Sequence, residues 1–498
     1  MKYVLSKKES KHIDSEAIKT KYITKSKLMD NAGRLSAQFF VEKITNPFNQ
    51  KVLVLAGKGD NGGDAIIMHH YLRKYGVDSR LYLFDFNCSK RLINKYKISH
   101  KYIIKTEFIN MIDSFDWFVD GMFGIGLNRQ INKPYNEIIK LIHSKNIISL
   151  DIPSGIDCDT GFPVSEFYIQ PKYVLCMGYY KSANLFNRGK VAFRNTYVLD
   201  IGLPKIDSKN VFLADIDFIK SLVKNDNLLR NKYSYSCSEL VGSDQYRGAA
   251  ILSVSSAISS GAGYIKSIIP SNLLDIFSSI VESVNFSLGK GGYFSLSDYS
   301  SIISNDIIYK ESPVLIGPGL GNKKTTIKLI SKLLKYFKKN NAKCILDASG
   351  FEPLYDSFKI DDLPDKCILT PHLGEFKKIF TNIDTQNLIK ACKKVYKKMG
   401  GRVMVLKGPS TIVLTSKGKC VVFNNGHSTL ASAGSGDVLS GIILALMSKG
   451  YDLDSSAILG VYIHGECSKS HSIDKSSLSM PSHKIIDVIP KVLNEIFS

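Results

Sequence analysis

The nine cysteines include no C-x-x-C pair and no histidine at finger spacing, and they lie far apart along 498 residues. That excludes a zinc module built on such spacings, and an odd count outside any disulfide pattern fits a reducing cytosol. No apolar run is long enough to cross a bilayer, and the opening MKYVLSKKESKHIDSEAIKT lacks the apolar core of a signal peptide. The expectation is a soluble cytoplasmic protein that uses no membrane. There is also no dense basic tail. Lysine is spread through the whole chain, so the formal net charge of +21 reads as solvated faces, and nucleic acid is not an expected partner. The absence of short-period repeats and low-complexity tracts excludes solenoids and propellers.

What is present is an ordinary globular composition, 44% hydrophobic and 22% charged, at a length that suits two or three domains. From Lys51 to about Gly202, short β-branched runs alternate with helical patterns, the signature of a parallel sheet covered by helices. The strands are expected at 52–56, 80–84, 117–120, 147–151, 173–177 and 197–200. Helices are expected at 62–75 and 135–145, and a long amphipathic one at 26–44. The pattern weakens between Asp207 and Ser238, where a junction is expected. A second alternating series follows, with strands at 264–269, 313–317, 343–347, 367–370, 402–407, 411–415 and 420–424. The fold class expected is α/β, with domains over 1–220 and 221–498.

The first strand ends in AGKGDNGGD, residues 56–64. Gly57, Gly59 and Gly62 satisfy G-x-G-x-x-G, and Asp85 closes the next strand, so a dinucleotide clamp is one reading. Asp60 and Asp64 oppose it, because they would set carboxylates beside a pyrophosphate. A turn carrying Asn and Asp also suits a cation or a hydroxyl-rich ligand, and a plain strand-to-helix turn remains a third reading. Three more strand ends bear on the same cleft: DGMFGIGL from Asp120, DIPSG from Asp151 and MGYYKSA from Met177. Ligands of open parallel sheets sit beyond such ends.

In the second half, LASAGSGDVLSG (430–441) precedes an apolar helix. Small residues and the free amides of a first helical turn make an anion hole, with Asp437 placed to take a proton from an acceptor hydroxyl. An N-cap aspartate in a glycine turn is the competing reading. PVLIGPGLG (313–321), LTPHLGEF (369–376) and KGPST (407–411) supply further glycine turns, a histidine and a lysine at strand ends.

In order and spacing, LMDNAG, GKGDNGGD, DGMFGIGL and LDIPSGIDCDTG resemble the epimerase domain of NAD(P)H-hydrate repair enzymes over most of residues 14 to 215. The resemblance implies a Rossmann-like three-layer αβα domain. It implies that Asp60, Asn61, Gly62, Gly63 and Asp64 contact the hydrated nucleotide, that Gly124, Ile125, Gly126, Leu127 and Asp151 line the substrate site, and that Asn61, Asp120 and Ser154 hold a potassium ion. Asp60 stands where the first of two asparagines is usual, and Ala65 where glycine is. The hydrate bears a hydroxyl on C6 beside the ring nitrogen, and a carboxylate that gives and takes a proton suffices to epimerise it. Asp120 is the expected carrier.

NKYS (231–234), GSDQYRGAA (242–250) and LDASG (346–350) complete a resemblance of residues 225 to 498 to the ADP-dependent NAD(P)H-hydrate dehydratase, a ribokinase-like αβα fold. It implies that Ala250, Gly319, His372 and Asp437 bind the hydrate, and that Lys407, Gly408, Pro409, Ser410, Thr411 and Gly436 bind the adenine nucleotide. ADP, with ATP as its alternative, is the co-substrate, and Mg2+ bridges its phosphates. Arg247 stands where proline is common, and Ser349 where a second aspartate is usual. One chain would then epimerise the R and S hydrates of NADH and NADPH and dehydrate the S form. The alternatives are a small-molecule kinase of the same fold and a nucleotide-binding protein with lapsed catalysis. Self-association into a homo-oligomer is compatible with domains of this kind.

Overall fold

The computed structural model describes residues 2–98, 111–206, 210–224, 231–304, 307–308, 311–356, 358–475 and 478–497. The chain forms two compact units, Lys2–Lys209 and Asn210–Ser498.

In the first unit, six parallel strands run in the order Asp78–Leu83, Lys51–Ala56, Trp117–Gly121, Asn146–Leu150, Tyr173–Met177 and Thr196–Leu199. Alternation along the strands sends Val52, Val54, Ala56, Val119 and Ile148 to one face, where they pack with Leu28, Phe40, Ile66 and Leu72. Leu53, Leu55, Phe118 and Ile147 face the other way, onto Ile138, Ile139 and Ile142. Both faces of the sheet are therefore covered, which makes the three-layer αβα unit. The helix Lys25–Lys43 starts at Thr24, whose hydroxyl accepts from the Lys27 N–H, and it buries Leu28, Ala32, Ser36, Phe39 and Phe40 on one stripe. Helices Asp60–Lys74 and Tyr135–Ile142 lie where the sequence pattern puts them. A short parallel pair outside this sheet, Lys2–Leu5 with Tyr180–Lys181, is not expected from the sequence.

In the second unit the strand order is Ser283–Leu288, Tyr264–Pro270, Ser236–Leu240, Val314–Ile316, Cys344–Leu346, Cys367–Leu369, Val403–Leu406, Thr411–Leu414, Cys420–Phe423 and Val211–Leu213. Pairing is parallel except around Thr411–Leu414, which is antiparallel to both neighbours. The helix Lys324–Lys339 buries Thr326, Leu329, Ile330, Leu333, Leu334 and Phe337, an i, i+3, i+4 stripe. Residues 210–220, assigned to the first domain from the sequence, belong to this second unit. The reason is that Val211–Leu213 pairs with Cys420–Phe423, and the capped helix Ile216–Leu222 follows it. The junction expected across 207–238 is thus in large part regular structure. Among the described residues no helix is long and apolar enough to cross a membrane.

Candidate active sites

The glycine loop after the strand Lys51–Ala56 is tight for steric reasons. A Cβ at Gly57 would lie 1.9 Å from the Met122 carbonyl oxygen, and one at Gly62 would lie 1.9 Å from that of Gly57. Gly59 meets nothing within 4 Å, so the three fingerprint glycines are not equivalent. Ala65 is accommodated because residue 121 is glycine: a Cβ there would come within 2.4 Å of the Ala65 methyl. Asp60 turns outward and pairs with Lys25 at 2.8 Å, so its charge is offset locally. Asp85, the acid a dinucleotide clamp would use on a ribose, pairs instead with Lys58 at 3.2 Å.

Beyond the strand ends lies a cavity of about 860 Å³, whose wall includes Asp60, Asn61, Asp64, Gly124, Ile125, Gly126, Leu127 and Asp151 together with Asp14 and Lys181. Gly62, Gly63, Asp120 and Ser154 do not border it. Asp120, the proton carrier expected from the sequence, is fully buried. Its Oδ1 accepts from the Ser154 hydroxyl at 2.5 Å and the Met122 N–H at 3.3 Å, and its Oδ2 from the Ser149 hydroxyl and the Ser154 N–H, each at 2.8 Å. Burial raises this carboxyl, and those four donors pull it back. Such a group knits strand ends together and cannot reach a ligand in the cavity, so its expected role as proton carrier is corrected.

Asp151 has the access that Asp120 lacks. It leaves the strand Asn146–Leu150 in the left-handed region, φ 63°, a strained conformation for a non-glycine residue. Its Oδ1 accepts from the Met177 N–H at 3.2 Å and from the Lys181 ammonium. Both bonds fall on Oδ1, which leaves Oδ2 open to the cavity. Lys181 is buried and also donates to the Met177 carbonyl at 2.8 Å. Burial is the largest single influence and disfavours its ammonium, but the charge and hydrogen bond of Asp151 together with Cys176 and Cys158 raise it overall. Asp64 is pushed well above the ordinary carboxylate range by burial and by Asp151, Asp60 and Asp14.

Asn61, Asp120 and Ser154 converge behind this wall. The Asn61 amide donates to the Phe123 carbonyl at 2.9 Å, and the Phe123 N–H donates to Ser154 Oγ at 2.9 Å. Asn61 Oδ1 is buried with no hydrogen-bond partner. An orphaned amide oxygen beside a carboxylate, a hydroxyl and a carbonyl is an all-oxygen donor set that suits a hard cation.

In the second unit the helix Ser435–Ser448 starts from Gly434 in the left-handed region, φ 89°. The Val438 N–H closes on the Gly434 carbonyl at 3.1 Å, whereas the N–H groups of Gly436 and Asp437 have no partner among the described residues. Two free amides at a helix N-terminus form an anion site. The Lys407 ammonium stands beside it, 3.2 Å from where a Cβ on Gly436 would lie, and ion-pairs with Asp347 at 2.7 Å. Asp347 is held in turn by the Ser440 hydroxyl at 2.5 Å and the Ala348 N–H at 2.9 Å. Burial, then Asp347, raise Asp437 to about 7, with Lys407 opposing and Glu375 adding to the rise.

The turn at His372 is tied to Lys407 by the Lys407 N–H bond to the Pro371 carbonyl, 2.8 Å. His372 Nδ1 accepts from the Gly374 and Glu375 N–H groups, and Glu375 accepts from the His372 N–H at 2.7 Å, a reciprocal cap. Only its outer ring edge is therefore available to a ligand. Gly319 takes φ 71°, with its carbonyl bonded by the Ser243 hydroxyl at 2.7 Å. Ala250 is fully buried, and glycine at 242 leaves it room, since a Cβ there would lie 3.2 Å from the Ala250 methyl. In the KGPST turn, Ser410 is buried and Thr411 Oγ1 donates to the Gly408 carbonyl at 3.3 Å. Sequence reasoning did not single out Asp14, Lys181 or Asp347 as site residues. MGYYKSA and LDASG at strand ends were available signals for the last two, but a mid-helix aspartate gave none for the first.

Residues 239–491 match the family model described as NAD(P)H-hydrate dehydratase, and residues 25–183 match the one described as YjeF-related protein N-terminus. A bifunctional NAD(P)H-hydrate repair enzyme of Dictyoglomus turgidum is 29% identical, covering 100% of this chain and 99% of its own. One from Thermofilum pendens is 26% identical over 97% of this chain and 95% of its own. Among solved structures, a ribokinase-like superfamily protein of Enterococcus faecalis superposes with a TM-score of 0.50 at 20% identity, covering 59% of this chain and 99% of its own. The chain belongs to the bifunctional NAD(P)H-hydrate repair enzyme family, a YjeF-related half followed by an NAD(P)H-hydrate dehydratase half.

Proposed function

We propose that this repair enzyme epimerises the R and S hydrates of NADH and NADPH at the Asp151–Lys181 cavity, and dehydrates the S hydrate at Asp437 with ADP as phosphoryl donor. In the first reaction the ring nitrogen's lone pair expels the protonated C6 hydroxyl as water, and water returns to the iminium from the other face. Asp151, with Oδ2 open and Lys181 fixing its orientation, exchanges the proton. Asp60, Asn61, Gly62, Gly63, Asp64 and the 124–127 turn hold the nucleotide, Gly62 and Gly63 by shaping the loop from behind the wall. Asn61, Asp120 and Ser154 would hold potassium, which when bound supplies a fixed positive charge beside the ligand.

In the second reaction Asp437 takes the proton of the C6 hydroxyl as its oxygen attacks the terminal phosphoryl group of ADP, giving AMP. The free amides of Gly436 and Asp437 and the Lys407 charge offset the negative charge that moves with the phosphoryl group. Phosphate is a far better leaving group than hydroxide. The ring nitrogen expels it, and loss of a ring proton restores NADH or NADPH. Gly319 and His372 border the hydrate, and 407–411 the nucleotide. Among the described residues no group of three His, Cys, Asp or Glu side chains could hold a metal ion, so Mg2+ would enter on the nucleotide's phosphates. The cytoplasm, where these nucleotides work, suits its unpaired cysteines.

The observation that carries the reading is the pairing of a carboxyl raised to about 7 with two unbonded amides and a lysine at one helix start. The test is incubation with mixed R and S NADH hydrate and ADP or ATP, following the absorbance of restored NADH. Full recovery with release of free phosphate is expected. A stable phosphorylated product without NADH would make it a kinase, and nucleotide binding without turnover would make it a lapsed enzyme.

A further inference from the structure

The helix Lys7–Lys19 lies outside the segment matched to the YjeF-related family model, yet it contributes to the cavity wall. Ser6 and Glu9 cap it reciprocally, fixing its start. The Lys7 N–H donates to Asp159 at 2.7 Å and the Lys7 ammonium to the Gly126 carbonyl at 3.1 Å, so two site loops hold the helix against the cavity. Ser10, Ile13 and Ala17 are buried on one face, and Asp14 and Ile18 follow them around the helix to the cavity. No hydrogen bond or ion pair occupies the Asp14 carboxyl among the described residues, although it lies within the electrostatic reach of Lys181, Asp151 and Asp60. A half-buried carboxyl with no structural employment, facing a cavity that already holds a lysine–carboxylate pair, is costly unless it is used.

The reaction gives it a use. In epimerisation the hydroxyl leaves one face of the planar iminium and water adds to the other, so a carboxyl at each face would speed both steps beyond what one carboxylate achieves. One anchored carboxylate serves one face. Asp64 is a poorer choice for the other, because burial and three neighbouring acids disfavour its ionised form. Asp14 is raised by burial, with Lys181 pulling it back before Asp151 and Asp60 add their smaller rises, and it borders the cavity with no bonded partner among the described residues.

We propose that Asp14 is a second catalytic carboxyl of the epimerase centre, serving the ring face opposite to the one served by Asp151. The inference rests on the epimerase reading above. In one direction the protonated Asp14 gives its proton to the C6 oxygen, the C6–O bond breaks with its electron pair on oxygen, and the nitrogen lone pair forms the N=C6 bond. Water then bonds to C6 from the other face, its proton passes to Asp151, and the N=C6 π pair returns to nitrogen. The reverse direction exchanges the two roles, and solvent restores both carboxyls.

The test uses the full chain and the R hydrate, with appearance of the S hydrate followed chromatographically without ADP. Asp14→Asn should lower the epimerisation kcat about 10²-fold with little change in KM, the range expected for losing one general acid–base group. Asp14→Glu should restore part of the rate, and conversion of S hydrate with ADP should stay at the wild-type rate. Wild-type epimerisation by Asp14→Asn, or a raised KM at unchanged kcat, would overturn the proposal and leave Asp14 as a surface or binding group. A wild-type chain that interconverts nothing would fail the epimerase reading itself, and this inference with it.

Discussion

Asp437 reports its surroundings through its titration. Burial and the neighbouring Asp347 hold its carboxyl up near 7, while Lys407 pulls it down. A general base works only when ionised, so kcat/KM for dehydration should climb with pH through a step near 7, measured as NADH formed from S hydrate at saturating ADP. Removing the opposing cation with Lys407→Met should move that step to higher pH and weaken nucleotide binding. Asp437→Asn should abolish the step and cost about 10²- to 10⁴-fold in kcat. The aspartate itself was legible in GSGD, because a glycine turn before an apolar helix advertises free amides. Its proton affinity was not, since that depends on Asp347 and Glu375, which arrive from other strand ends.

At the scale of elements, the phosphate-type fingerprint in GKGDNGG overstates its own regularity. Gly57→Ala drives a Cβ into the Met122 carbonyl and should cost about 1–3 kcal/mol, read as a lower unfolding midpoint. Gly59→Ala meets open space and should cost only about 0.5 kcal/mol, the ordinary penalty for alanine at a helix N-cap. Equal losses at the two positions would show that the backbone there is not set by this contact. Val211–Leu213 and Ser283–Leu288 were not expected, but the other strands with apolar runs in the two large sheets lie within two residues of where they were readable. Ser236–Leu240 was not, because SCSEL reads as polar. It is nonetheless fully buried between Tyr264–Pro270 and Val314–Ile316. Its serines are satisfied across the fold, Ser236 with Ser312 at 2.5 Å and Ser238 with the Ile307 carbonyl at 3.1 Å, whereas Glu239 is bonded only at Oε2, by the Ser253 hydroxyl, and its buried Oε1 has no partner among the described residues. Glu239 pays for that position, pushed by burial up to about 8.

For the whole molecule, two centres linked only by a diffusing hydrate imply separable failures. With mixed hydrates and ADP, Asp151→Asn should restore NADH from the S fraction and then slow to the spontaneous epimerisation rate. Asp437→Asn should restore little NADH while bringing R and S to equilibrium, followed chromatographically, and mixing the two variants should recover full repair, read from NADH absorbance. The sequence by itself determined the two α/β halves and the strand-end glycine turns, because hydrophobic period and turn chemistry are local and survive in one dimension. Which carboxylates border the cavity and which tie loops together was decided only by the tertiary structure. Asp120 and Asp151 look alike as strand-end aspartates, but four donors from neighbouring loops enclose the first, while a left-handed backbone and a buried lysine thirty residues on open the second to the cavity. Solvation, proton affinity and access are properties of what surrounds a group, and those surroundings are assembled from residues far apart in the chain.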